Sequence, residues 1–214
     1  ISKIPLPEKE ANEQARAPGR PEETPVGAAE GFMNWGRGLM SLAPRAMKEG
    51  FMEKVRLGRT ELMVTKTAFG ALPIQRISRE DAVKLVRRAY EAGINYFDTA
   101  NMYTDSEEKL GEALEGVRQN VVISTKSGGG DRKTVLAHIE QSLRSLRTDY
   151  IDLFQFHNPA KLPDINDPDG PFAAALEMKE KGYIRHIGIT NHRLAVAQEA
   201  IRSGNFETLL FLFG

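Results

Sequence analysis

An acid, a phenol, an amine and an imidazole stand at Asp98, Tyr103, Lys126 and His157. Asp98, Lys126 and His157 each close or follow a short apolar run, and Tyr103 lies five residues past Asp98. Hydride delivery to a carbonyl carbon leaves an alkoxide that must take up a proton, and a positioned phenol can supply it. Free tyrosine, near pKa 10, is too weak an acid for this at neutral pH. A neighbouring ammonium is expected to lower that pKa, and a hundredfold gain in acidity asks roughly 3 kcal/mol of Lys126. Asp98 would hold the lysine charged and aimed, and His157 would hydrogen-bond the carbonyl oxygen and fix its angle. Taken singly, Asp98 could cap a turn, Lys126 could be a solvated strand end and His157 a satisfied half-buried histidine. Their arrival together is what calls for a common role.

The elements that must position them follow from hydrophobic periodicity. Residues 54–57 and 61–64 flank Gly58, Arg59 and Thr60, a hairpin signal with glycine where positive φ is tolerated. Short apolar runs then alternate with segments of helical period. Strands are expected at 65–70, 94–98, 121–125, 150–156, 183–189 and 207–213. A helix capped by Ser78 follows the first, with Asp81 three residues on. The second is followed by a helix capped by Ser106 with Leu110, Ala113 and Val117 on one face. The third leads to a helix opening at Asp131 and burying Val135, Ile139, Leu143 and Leu146. The fourth leads to a helix with Pro171 in its first turn, where a missing N–H costs nothing. The fifth helix runs to Gly204.

Strands each followed by a helix imply parallel pairing with right-handed crossovers. An open doubly wound sheet and a closed barrel both satisfy that order. A dinucleotide-binding open sheet would carry a glycine fingerprint after its first strand. The turn here reads Gly70, Ala71, Leu72, Pro73, which favours the barrel. In a barrel, functional groups sit where strands end, so Asp98, Lys126 and His157 would share one rim.

The run from Gly93 to Ala100 with Tyr103, then Ser106, Glu107, Glu108, Leu110 and Gly111, resembles the aldo-keto reductase signature around its aspartate and tyrosine. Ser124, Thr125 and Lys126 resemble its lysine motif. The run from Asp152 to Asn158 resembles its histidine motif, and that from Arg185 to Asn191 its fifth-strand motif. The resemblance covers residues 55–213. It implies a TIM-type (β/α)8 barrel of the α/β class, with NADPH or NADH as hydride donor and an aldehyde or ketone as substrate. It implies Asp98, Tyr103, Lys126 and His157 as catalytic residues. Gly70, Ala71, Asp98, Thr190 and Asn191 are its implied cofactor contacts. A second reading keeps the fold without catalysis, as a module that senses nicotinamide or binds a partner. A third, an aldolase with Lys126 as Schiff-base former, does not need the spacing of Asp98 and Tyr103.

The barrel is expected to be incomplete, with about six βα units in residues 54–214 against the roughly 250 residues of a whole one. Leu210 stands where the family usually has a glutamine against the nicotinamide. Open sheet edges would invite self-association. Residues 1–53, proline-rich and then apolar around Trp35, are read as an arm, partly disordered. With 29 basic and 29 acidic side chains, no net field selects nucleic acid or a membrane surface. No cysteine is present, so thiolate chemistry is excluded within the stretch, and His138, His186 and His192 lack metal-ligand spacing. The glycines at 128–130 read as a mobile active-site loop, residues 161–171 as a surface loop, and the cytoplasm as the default compartment.

Overall fold

The computed structural model describes residues 52–212; the expected N-terminal arm lies almost wholly outside them, as does Phe213. A two-stranded antiparallel hairpin, β1 (Lys54–Arg56) and β2 (Met63–Thr65), comes first. Six parallel strands follow in sequence order: β3 (Phe69–Gly70), β4 (Tyr96–Asp98), β5 (Val122–Ser127), β6 (Ile151–His157), β7 (Ile184–Asn191) and β8 (Thr208–Phe211). Helices α1 (Arg79–Glu91), α2 (Ser106–Ala113), α3 (Arg132–Ser145), α4 (Pro171–Glu180) and α5 (Leu194–Ser203) connect them. This is an incomplete (β/α)8 barrel, with β3 and β8 at the edges of its sheet.

Local chemistry accounts for most boundaries. Ser78 accepts a hydrogen bond from the Asp81 backbone N–H at 3.1 Å and starts α1. Asp131 does the same for Thr134 at 2.9 Å and starts α3. Pro171 opens α4, and Gly204 ends α5 in the left-handed region at φ 72°. Val135 and Ile139 of α3 are buried against a core that includes Ile123, Ile151 and Phe154. Phe156, Phe172 and Phe206 form an aromatic cluster with centroid separations of 6.1, 5.9 and 6.1 Å. Each such side chain, fully buried, contributes about 1.5–3 kcal/mol.

Four expectations need correction. The first strand of the sheet is two residues long rather than six. Thr65 belongs to the hairpin, and its backbone N–H is taken by the Asn95 side chain at 2.7 Å. Ser106 is the first residue of α2 rather than its cap. Its hydroxyl turns inward, donating to the Ala71 carbonyl at 2.9 Å and meeting Thr99 Oγ1 at 2.9 Å. Val117 lies past the end of α2, beyond Gly116 at φ 80°. The third strand also runs on through Lys126 to Ser127, so the lysine sits within the sheet and not after it.

Close approach explains two glycines. Gly58 has φ 56° in the hairpin turn, and a Cβ there would lie 2.4 Å from the Glu207 carbonyl oxygen. That carbonyl accepts the Arg59 backbone N–H at 2.8 Å, so the turn docks on the start of β8. Gly111 brings α2 against the end of α3, where a Cβ would lie 2.5 Å from the Ser145 carbonyl oxygen. Among the described residues, no helix is long and apolar enough to cross a membrane.

Candidate active site

Sheet register places the four chemical groups along one rim. Asp98 pairs with Gly70 on one side and Ser124 on the other, Lys126 pairs with Gln155, and His157 pairs with Thr190. Asp98, Lys126 and His157 lie at or near the carboxyl ends of three consecutive strands. Tyr103 is on the loop between β4 and α2. That loop is fixed from both sides. Asn101 donates its backbone N–H to the Lys126 carbonyl at 3.0 Å, and the Tyr103 carbonyl accepts from Ser106 at 2.8 Å. The chain reverses just after the phenol through Thr104, held at φ 39°.

Lys126 is 3 % exposed, and its ammonium lies 2.6 Å from Asp98 Oδ2 while also donating to the Thr99 carbonyl. Asp98 Oδ1 accepts the Ser124 hydroxyl and the Gln155 amide, the latter at 3.2 Å. The Lys126 ammonium is 5.5 Å from the centroid of the Tyr103 ring. The Tyr103 and His157 rings meet edge to face, with centroids 5.7 Å apart and planes at 81°. Three neighbouring strands and one loop thus bring amine, carboxylate, imidazole and phenol together.

The electrostatics differ from expectation at the phenol. Burial, and then the Asp98 carboxylate, hold the Tyr103 phenol above its ordinary pKa rather than below it. The Lys126 charge is spent on Asp98, so without a ligand the ammonium does not acidify the tyrosine. Burial lowers the pKa of Lys126 itself, against the opposing pull of Asp98. His157 is also lowered, by burial first and then by the Lys126 charge, so it is neutral at pH 7. Its Nδ1 is a buried ring nitrogen without a protein hydrogen-bond partner. Tyr96, on the same strand as Asp98, is pushed far up by burial.

The residues expected to meet a cofactor divide. Gly70 is exposed, and a Cβ there would meet no atom within 4 Å, so that edge is open. Ala71 is fully buried and can contribute only through its backbone. Thr190 Oγ1 accepts the Asn158 backbone N–H at 3.1 Å. Asn191 is 1 % exposed; its amide donates to the Pro159 carbonyl at 2.8 Å and accepts from Arg193 at 2.8 Å, so it shapes the turn after β7. Leu210 pairs with Thr190 and is 52 % exposed. Ser127 Oγ meets His138 Nδ1 at 2.7 Å and accepts the Gly129 N–H at 3.0 Å, which ties down the start of the glycine loop.

Sequence reasoning gave no role of their own to Ser124, Gln155 and Lys109. Ser124 and Gln155 had a signal: each is a polar residue two before a site residue, on strands that otherwise read as apolar. Lys109 had none, because it follows two glutamates in a segment that reads as a solvated helix face.

Comparison with known proteins identifies the family. The model of the aldo/keto reductase family matches residues 66–209. The L-galactose dehydrogenase of Arabidopsis thaliana is 36 % identical over 151 residues, covering 63 % of this chain and 47 % of that protein. The structure of aldo-keto reductase AKR11C1 from Bacillus halodurans, in its holo form, superposes with a TM-score of 0.66 at 31 % identity. The match spans 76 % of this chain and 58 % of that one. An aldo-keto reductase from Klebsiella pneumoniae in complex with NADPH superposes with a TM-score of 0.61 at 27 % identity, over 71 % of this chain and 54 % of that one. The chain spans about half the length of the curated relatives it matches. A family model that matches residues 66–209 and solved aldo-keto reductases that superpose on this fold lead to one conclusion: this chain belongs to the aldo/keto reductase family.

Proposed function

We propose that this chain carries the catalytic residues of an NADPH- or NADH-dependent reductase of aldehydes or ketones, with Tyr103 as proton donor. The observation that carries the reading is the meeting of Tyr103 with both Lys126 and His157 above a closed Lys126–Asp98 ion pair. The bound nicotinamide supplies the hydride. The open edge at Gly70, polar side chains along the rim and the unpartnered His157 Nδ1 fit such a group and its substrate. Gly70, Ala71, Asp98, Thr190 and Asn191 would border it, Ala71 and Asn191 by shaping backbone rather than by direct side-chain contact.

In this reading a substrate carbonyl oxygen sits between the Tyr103 hydroxyl and the His157 ring. Neutral His157 donates one N–H to that oxygen and sets its angle. Tyr103 stays fully protonated through the physiological range because its pKa is raised, so the donor form is always present. As negative charge grows on the oxygen, the proton passes from phenol to alkoxide. The incipient phenolate is then stabilised by Lys126, whose ammonium Asp98 keeps charged and aimed. The lysine therefore acts on the transition state and not on the resting phenol, which reconciles its role with the raised pKa.

The test is binding followed by turnover. Calorimetric titration of the chain with NADPH should show saturable binding, and a reactive aldehyde should then consume the cofactor catalytically. Saturable binding without turnover would identify a nicotinamide-sensing module instead. Absence of both would end the reductase reading for this chain.

A further inference from the structure

Lys109 is a lysine with 2 % of its surface exposed, and all three of its N–H donors are placed. It donates to the Ile74 carbonyl at 2.9 Å and the Ile77 carbonyl at 2.8 Å, and it lies 2.9 Å from Asp105 Oδ2. An ammonium offers three donors, so none is left over. Burying that charge is costly unless it is paired and fully bonded. Leucine or methionine would fill similar space without the cost, so packing alone does not call for a charge here. What the charge adds is a directed connection between two segments distant in sequence. One is residues 71–77, the 3-10 turn that leaves β3. The other is residues 99–106, which hold Tyr103 and end in the first turn of α2.

Two further contacts run in parallel with it. Ser106 donates its hydroxyl to the Ala71 carbonyl at 2.9 Å, and Thr104 Oγ1 donates to Gln75 Oε1 at 3.2 Å. Thr104 is the strained residue that follows the phenol, and Asp105 comes next. Of these contacts only the pairing of Lys109 with Asp105 joins two charges. Among the described residues the Lys109 ammonium bonds to Ile74, Ile77 and Asp105 and not to Tyr103, Lys126 or His157, so whatever it does for them it does through the loop.

We propose that Lys109 is a positioning residue for the reaction: its buried ammonium fastens residues 71–77 to residues 99–106, holding the Tyr103 phenol at a set distance from the sheet edge at Gly70. The consequence for chemistry rests on the reductase reading above; the fastening itself does not. Misplacement of a reacting group by about 1 Å can cost on the order of a hundredfold in rate, so a loosened loop should lower kcat more than it raises KM.

The test compares the wild-type chain with Lys109→Met by amide hydrogen exchange and by kinetics. We expect a cooperative thermal transition to persist, exchange to quicken about tenfold or more across both segments and not across β5 to β7, and kcat to fall about tenfold with KM changed less than about threefold. A folded Lys109→Met chain with unchanged exchange in residues 71–77 and 99–106 would overturn the proposal. So would a chain whose exchange quickens uniformly. Should Lys109→Met not fold, Asp105→Asn decides: faster exchange in both segments supports the fastening, and wild-type exchange overturns it. A wild-type chain that turns nothing over but shows the segment-specific response would support the fastening and remove only the reductase reading.

Discussion

Replacing Asp98 by asparagine probes the ion pair on which the site is built. The two charges are 2.6 Å apart, with the Lys126 side chain 2 % and the Asp98 side chain 20 % exposed. At an effective dielectric near 20 their attraction is about 6 kcal/mol, a ceiling reduced by the water that reaches Asp98. Removing one partner of a buried pair costs about 3–5 kcal/mol. Asparagine keeps an acceptor for Ser124, so we take the low end, about 3 kcal/mol. For a domain of this size each kcal/mol shifts the melting temperature by roughly 2–4 °C, which gives a fall of about 6–12 °C at pH 7. The pH dependence carries the sign. Lys126 has a folded-state pKa below its ordinary value, so between that pKa and about 10.4 the unfolded chain binds more protons. Stability from this group therefore rises with pH through that window and is lost as pH falls through the folded pKa. Without Asp98 the window opens at lower pH, and the Asp98→Asn variant should recover stability relative to wild type as pH is raised from 7 to 10. Scanning calorimetry of both proteins, and of the double variant with Lys126→Met, measures this directly. A fall under about 2 °C, no recovery at high pH, or a double variant costing the full sum of the singles would refute the reasoning.

Three further outcomes follow from the same geometry. In a spectrophotometric titration, Tyr96 and Tyr103 should ionise above the ordinary tyrosine value near 10, and Tyr103→Phe should remove one such late component. Loss of a component at or below that value instead would contradict the buried setting of that phenol. The His157 ring should stay neutral as pH is lowered through 6.5, read from its own proton resonances, because burial and the Lys126 charge depress its pKa; protonation at or above 6.5 would contradict this. Its contribution to stability is accordingly present above 6.5 and lost as pH falls through the folded pKa. Gly58→Ala should cost about 1–2 kcal/mol for the left-handed backbone alone, with more from the approach of the Cβ to the Glu207 carbonyl. An unchanged melting temperature would mean that the hairpin turn does not dock on the start of β8.

The site was legible where chemistry and strand ends coincide. Asp98, Lys126 and His157 each follow an apolar run, and strand termini are where a parallel barrel exposes functional groups. The caps at Ser78 and Asp131 were legible because they are local. What escaped is what only tertiary packing decides. Ser106 is a residue type that often caps helices, yet the Ala71 carbonyl that accepts its proton and the Thr99 hydroxyl beside it draw its hydroxyl away from the helix terminus. Strand β3 is shortened because Thr65, which follows the apolar pair Met63 and Val64 and belongs with them to β2, is bonded to Asn95 thirty residues on. The direction of the Tyr103 shift also escaped, since nearness to a lysine says nothing of how fully that lysine is already paired. Lys109 was invisible for a related reason: its sequence neighbours describe a wet helix face, and only the fold shows three acceptors closing around it.

The role of Tyr103 is tested most directly by a single-turnover measurement with NADPH already bound, comparing wild type with Tyr103→Phe at pH 7. Loss of the proton donor should slow oxidation of the cofactor by about a hundredfold to ten-thousandfold while leaving NADPH affinity within about threefold. Equal rates in the two proteins would contradict the account, whatever the distances between the four side chains.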